Sequence, residues 1–263
     1  MPNEDVLQHF NKEEAPFIDQ VLDWRTQVIN QYRPVLTPFL NPREQVIVNS
    51  LLGHSDDYDF AFFGGHEHAE RCRVLIYPPY FEIKKDDFEI MPLSIHYASK
   101  FNQLAHRQIL GSLLGTGIDR NRIGDIISEG DTWQLFVDKT LVDFLKIEVT
   151  KMGRTPVTLK MIANEKEILN PPSQWQMSEQ TISSYRLDTV LAEGFHLSRT
   201  KTKQAIEKGG CKINWQAISN PSHEVKIGDI ISLRGHGRLK LSSELLITKK
   251  GKYRVKIGRI KNN

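Results

Sequence analysis

Two cysteines, Cys72 and Cys211, are all the chain contains, and no CxxC pair occurs. That scarcity argues against a disulfide framework and a zinc site, and leaves two buried or incidental thiols as the expectation. No run approaches the roughly 20 apolar residues that a bilayer span needs, so no membrane partner is expected. The opening Met1-Pro-Asn-Glu-Asp has neither the charge nor the apolar stretch of a targeting peptide, which predicts a cytoplasmic protein. Gly111-Ser-Leu-Leu-Gly-Thr-Gly lacks the Gly-Lys-Ser/Thr ending of a phosphate loop and follows a helical pattern, so it reads as helix termination. His66-Glu-His68 offers two metal ligands with no third in view and reads as an exposed turn. We therefore expect no metal, no cofactor and no small-molecule substrate.

What the chain does have is charge sorted along its length. The overall net charge of +3 over 263 residues conceals two opposed parts. From Ile182 to Asn263 there are 17 Lys/Arg against 6 Asp/Glu, a net of +11, while the preceding 181 residues carry a net of −8. Such segregation costs self-repulsion and points to a polyanionic partner for the basic part.

The apolar pattern predicts an α+β chain in three parts. Region 1–70 is mainly helical: Phe17, Ile18, Val21, Trp24 and Val28 recur at helical spacing, and Asn41-Pro42 starts a second helix running to Gly53. Tyr58–Phe63 reads as a buried strand. Region 71–163 opens with a strand at Arg73–Tyr77, followed by the order β-α-β-β-α-β. That order is ferredoxin-like, the topology of many RNA-recognition modules. Its helices are expected over Asn102–Leu114 and after Asp138, the latter with Leu141, Phe144, Leu145 and Val149 on one face. The third strand, Thr-Trp-Gln-Leu-Phe-Val, lacks the aromatic, Gly-rich motif that stacks bases, so any RNA contact here would use another surface. Residues 164–184 are polar, hold Pro171-Pro172 and read as a linker.

The decisive segment, 185–263, opens with a short helix holding Leu187, Val190 and Leu191 that is expected to stop at Gly194. A second helix, Arg199–Lys208, is capped by Ser198 and brings Arg199, Lys201, Lys203 and Lys208 together. Long cations on a rigid scaffold are what phosphate recognition requires. The R-L-D opening, the S-R helix start, the K-I-N strand and the V-x-x-G-D-x-I ending resemble the αL RNA-binding motif named from small-subunit ribosomal protein S-four. That resemblance puts Arg186, Arg199, Lys201, Lys203, Lys208, Lys212, Arg234, Arg238 and Lys240 on or near an RNA-facing surface. Asp188 is assigned to ordering the helix pair, since a carboxylate beside phosphate is unfavourable. Trp215 stands where the motif usually has Gly after Asn, to stack on a base or to pack on the sheet. In the tail, Lys252, Arg254 and Lys256 alternate with Tyr253, Val255 and Ile257, which predicts a docked strand carrying the cationic surface further.

Upstream, GGHEHAERCRV and LAHRQILGSLLGTGIDRNRIGDI, with the ending KKGKYRVKIGRI, resemble the YlmH family of Gram-positive bacteria. The resemblance implies a bacterial, non-catalytic RNA binder whose gene often sits among cell-division genes. It further implies ribosomal RNA or transfer RNA as partner, at the large ribosomal subunit, after translation has stalled. His106, Arg107, Arg120 and Arg122 are a candidate second RNA contact. The competing readings are an RNA-modifying enzyme, of pseudouridine synthase or methyltransferase type, and a cell-division scaffold.

Overall fold

The computed structural model describes residues 14–171, 175–248 and 250–260; of the residues read above, 1–13, Pro172 and Lys249 lie outside them. Two compact units form, Met1–Pro171 and Pro172–Asn263.

In the first unit, local signals fix the early helices. Helix α1 (Ala15–Gln31) buries Ile18, Val21, Trp24 and Val28 at the expected spacing. Helix α2 (Pro42–Leu52) starts in a capping box, with the Asn41 side chain accepting from Arg43 N and Glu44 N and Glu44 reaching back to Asn41 N. Both pack on a three-stranded antiparallel sheet of order β1-β3-β2, where β1 is Val35–Leu36, β2 Asp59–Phe63 and β3 Arg73–Tyr77. This corrects two readings. The strand at Arg73–Tyr77 pairs inside the N-terminal sheet and not with the elements after it. It is also the buried central strand, while β2, richer in aromatics, is the half-exposed edge. Hydrophobicity alone does not say which strand is flanked on both sides.

The following elements are β4 (Ile90–His96), α3 (His106–Leu114), β5 (Ile123–Glu129), β6 (Thr132–Asp138), α4 (Val142–Glu148), the short β7 (Lys151–Met152) and β8 (Thr155–Pro156), and β9 (Thr158–Met161). Four of these strands make an antiparallel sheet of order β5-β6-β4-β9. Leu93, Ile95, Leu135, Val137 and Leu159 face a core completed by Ile109, Leu113 and Leu145 of the helices. Phe144 is 42% exposed rather than on the buried face, because α4 is a single short helix that turns only Val142 and Leu145 inward.

The sheet's other face is covered by the chain itself. Phe136 is fully buried, with the His66 ring 4.8 Å from its own and Gly65 so close that a Cβ there would fall 2.4 Å from Phe136 Cδ1. Phe39 closes on Gly124 in the same way. Gln134 is tied to the chain beyond β9, donating to Glu167 O at 2.7 Å and accepting from Leu169 N at 2.9 Å.

The second unit is a six-stranded antiparallel sheet of order β10-β15-β14-β13-β11-β12 with two helices on one face. Its elements are β10 (Gln176–Ile182), α5 (Leu187–Phe195), α6 (Arg199–Glu207), β11 (Cys211–Ile213), β12 (Gln216–Ala217), β13 (Ile230–Leu233), β14 (Gly237–Ile247) and β15 (Tyr253–Ile260). The stretch 176–182, read as linker, is thus an edge strand paired along β15 from Gln176–Arg259 to Ile182–Tyr253. Only Ile182 of it reaches the core, so no apolar alternation announces the strand. Gly194 does not end α5, which continues to Phe195. Its missing side chain lets α5 lie against β14, where a Cβ would come 2.4 Å from Leu239 Cδ1.

Candidate nucleic-acid interface

The αL-like helix pair is built from its polar hinge outward. Arg186 precedes α5 and donates twice to Asp188, Nε to Oδ1 at 3.1 Å and Nη2 to Oδ2 at 2.9 Å. Thr189 Oγ1 donates to Asp188 Oδ1 at 3.3 Å, and Arg199 of α6 donates to Thr189 Oγ1 and, at 3.4 Å, to Ser183 Oγ. Burial pushes the Asp188 carboxyl upward, but the Arg186 hydrogen bonds and the charges of Arg186 and Arg199 outweigh it and hold the group below its ordinary range. Asp188 therefore remains a carboxylate that holds Arg186 and Thr189 at the start of α5, and the bond across to α6 is that of Arg199 to Thr189. The guanidinium groups of Arg186 and Arg199 are thereby partly engaged.

Ser198 caps α6, its Oγ accepting from Lys201 N at 3.3 Å. Thr202 and Ile206 turn into the core, which leaves Lys201, Lys203 and Lys208 exposed around the helix. Lys203 meets Glu207 at 3.9 Å, an exposed i,i+4 pair too weak to hold it. Arg234 lies exposed just after β13.

The remaining cations do not join this surface. Along the strands Cys211, Ile213, Ile231, Leu233, Leu239, Leu241, Val255 and Ile257 are buried beneath the helices. Strand alternation then sends Lys212, Arg238, Lys240, Arg254 and Lys256 to the opposite, helix-free face. The tail is a docked strand, with Val255 and Ile257 in the core. Its cations, however, face away from α6 and do not lengthen the helix surface. Arg254 is further held by Glu179 of β10 at 2.6 Å. Lys252 lies exposed at the β14–β15 turn.

Of the second group, His106 and Arg107 are exposed at the start of α3. Arg120 is committed elsewhere: its Nη1 donates to Ile123 O and Gly124 O, and burial together with the neighbouring Arg71 pulls its pKa down to about 10. Arg122 spends its guanidinium on Asp138 Oδ2 at 3.0 Å and Thr140 Oγ1 at 2.6 Å. Both are joints of the central part, Arg120 through backbone carbonyls and Arg122 through a carboxylate and a hydroxyl. Sequence spacing could not show which acceptors these arginines would take.

The His66 turn is likewise built in. His66 Nε2 lies 3.1 Å from Asp125 Oδ2, and the Asp125 carboxylate also accepts from Glu70 N and Arg71 N. Among the described residues no group of three or more His, Cys, Asp or Glu gathers as a metal site. Both cysteines are buried, and burial pushes the thiols up to about 11 at Cys72 and about 12 at Cys211. Neither is a nucleophile at neutral pH. No helix among the described residues is long and apolar enough to cross a membrane.

Comparison with known proteins places this geometry in a lineage. "Ribosome-associated protein quality control protein P2" of Bacillus subtilis (strain 168) is 39% identical over 257 residues, 98% of this chain and 99% of the relative. The chain belongs to the YlmH family. Residues 13–81 match the family described as "YlmH, N-terminal", residues 84–166 "Putative RNA-binding domain in YlmH", and residues 186–231 "S4 domain". A solved structure, "Cell division protein ylmH from Streptococcus pneumoniae", is similar with a TM-score of 0.53 and 33% identity, over 61% of this chain and 98% of that one. The basic segment also resembles "Small ribosomal subunit protein uS4" of Nitrosospira multiformis, 39% identical over 64 residues, 22% of this chain and 31% of the relative. The S4 match ends at 231, so β14 and β15 lie beyond it and β10 before it.

Proposed function

We propose that this YlmH-family chain is a non-catalytic, ribosome-associated RNA-binding protein whose S4-type helix pair grips RNA. The observation that carries the reading is the exposed set Lys201, Lys203 and Lys208 on a capped helix. That helix is held rigid by the Arg186–Asp188–Thr189–Arg199 network, in a segment of net charge +11. The name of the Bacillus relative supports the ribosome as the setting. Ribosomal or transfer RNA at the large subunit, after stalled translation, is the finer form of the reading. The central part is a ferredoxin-like module, supported by its strand order β5-β6-β4-β9 with both helices in one core. Its sheet face is packed against its own chain, so base stacking there, in the manner of RNA-recognition modules, is not part of the reading.

The test is binding of purified full-length protein to isolated large ribosomal subunits at moderate salt. Each lost charged contact weakens binding by about 1 kcal/mol or more. Lys201→Ala/Lys203→Ala/Lys208→Ala should therefore bind more than tenfold more weakly with an unchanged melting temperature. Equal binding by the triple variant would remove the helix pair as the RNA face. Nucleosides altered after incubation with total RNA would instead establish an RNA-modifying enzyme.

A further inference from the structure

The five cations on the helix-free face of the second unit's sheet are unused by the helix-pair reading. An antiparallel sheet with one solvated face is normally polar there, with charges of both signs. Here the strands bring Lys212, Arg238, Lys240, Arg254 and Lys256 to that face, and opposite them stands Glu179, which pairs with Arg254. Lys212 on β11 and Lys256 on β15 are three strand spacings apart across the sheet, and Lys212 is level with Ile260, four residues along β15 from Lys256, so roughly 19 Å separates them at about 4.8 Å per strand and 3.3 Å per residue. Lys240 lies between them on β14. The face also carries an apolar platform. Gly258 pairs with Lys240 on one side and Met177 on the other. A Cβ at Gly258 would fall 2.9 Å from Met177 Sδ and 3.1 Å from Trp175 Cε3, so both side chains lie over that glycine beside the lysines. Cations interleaved with an aromatic platform are the makings of a nucleic-acid surface.

The two cationic faces point to opposite sides of the unit, with the sheet and a helix layer about 10–12 Å thick between them. A short RNA segment lying along α6 therefore does not reach the sheet face.

We propose that the helix-free face of this sheet is a second RNA-binding surface, which holds one RNA segment while the α5–α6 face holds another. It rests on the RNA-binding reading of the helix pair and adds a second, independent site. The strands that form most of it lie outside the segment matched by the S4 domain; their inward residues support the helix pair, and their outward cations take no part in its surface.

The experiment counts RNA bound per full-length protein by analytical ultracentrifugation. The probe is a fluorescein-labelled RNA hairpin of about 12 base pairs, far shorter than the roughly 150 base pairs over which a duplex bends and so unable to wrap both faces. The natural chain is expected to bind two hairpins. Lys212→Ala/Lys240→Ala/Lys256→Ala should bind one, with an unchanged melting temperature, and the α6 triple variant should also bind one. Should the sheet variant melt early, Lys212→Gln/Lys240→Gln/Lys256→Gln, which keeps the side-chain length, replaces it. One hairpin on the natural protein, or two on a folded sheet variant, overturns the second site and leaves the helix-pair reading standing. Loss of both hairpins from a folded sheet variant overturns the independence of the two faces. No hairpin on the natural protein sinks the RNA-binding reading itself.

Discussion

Asn214 and Trp215 close the β11–β12 turn with φ of 46° and 66°, both in the left-handed region. A two-residue hairpin of this kind favours Asn-Gly, and Asn214 fits, its side chain donating to Asp229 Oδ1 at 2.8 Å and accepting from Ile230 N at 2.9 Å. Trp215 does not fit, since a non-glycine residue there costs roughly 1–2 kcal/mol. Strain of this size persists where something offsets it, and a half-buried indole at a turn of a basic unit is suited to meet a base. Trp215→Gly is predicted to leave the melting temperature equal or higher. It should weaken RNA binding roughly fivefold or more, as the loss of one stacked base at about 1–3 kcal/mol implies. A lower melting temperature with unchanged RNA affinity would assign Trp215 to packing alone. The departure from Asn-Gly was readable in the sequence; the strain it creates required the backbone.

At the scale of elements, β15 is the strand whose pairing the sequence concealed. Its alternation announced a docked strand, and Val255 and Ile257 are fully buried as that pattern requires. Its position between β10 and β14 was not legible, because β10 carries a single core residue. The consequence is testable with two fragments. Residues 172–263 should melt cooperatively. Residues 183–263 lack β10 and should melt at a lower temperature, having lost the burial of Ile182, worth about 2 kcal/mol. They should also self-associate through the exposed edge of β15. Equal melting temperatures would show that β10 adds nothing to the sheet. Gly194 is a second case: a glycine near a helix end reads as a stop, and only the approach of Leu239 shows that it is a contact.

For the whole molecule, charge and coverage divide the labour. The first unit carries a net of −7 over residues 1–171, and the sheet face on which an RNA-recognition module would stack bases is packed by Phe39, His66 and the chain at 167–169. A fragment of residues 1–171 is expected to bind the hairpin probe at least tenfold more weakly than the full chain; comparable binding would return the central part to the RNA-contacting surface. The sequence by itself determined the two N-terminal helices with the Asn41 cap, the Ser198-capped helix, the buried thiols and the basic segment, because these follow from residue type and local spacing; the helix read from Asn102 begins only at His106. Tertiary structure alone decided which sheet Arg73–Tyr77 joins, where Arg120 and Arg122 point, and that the cations divide between two faces. Each of those depends on which carbonyl, strand or side chain lies across a gap, and no periodicity along one chain records what stands opposite.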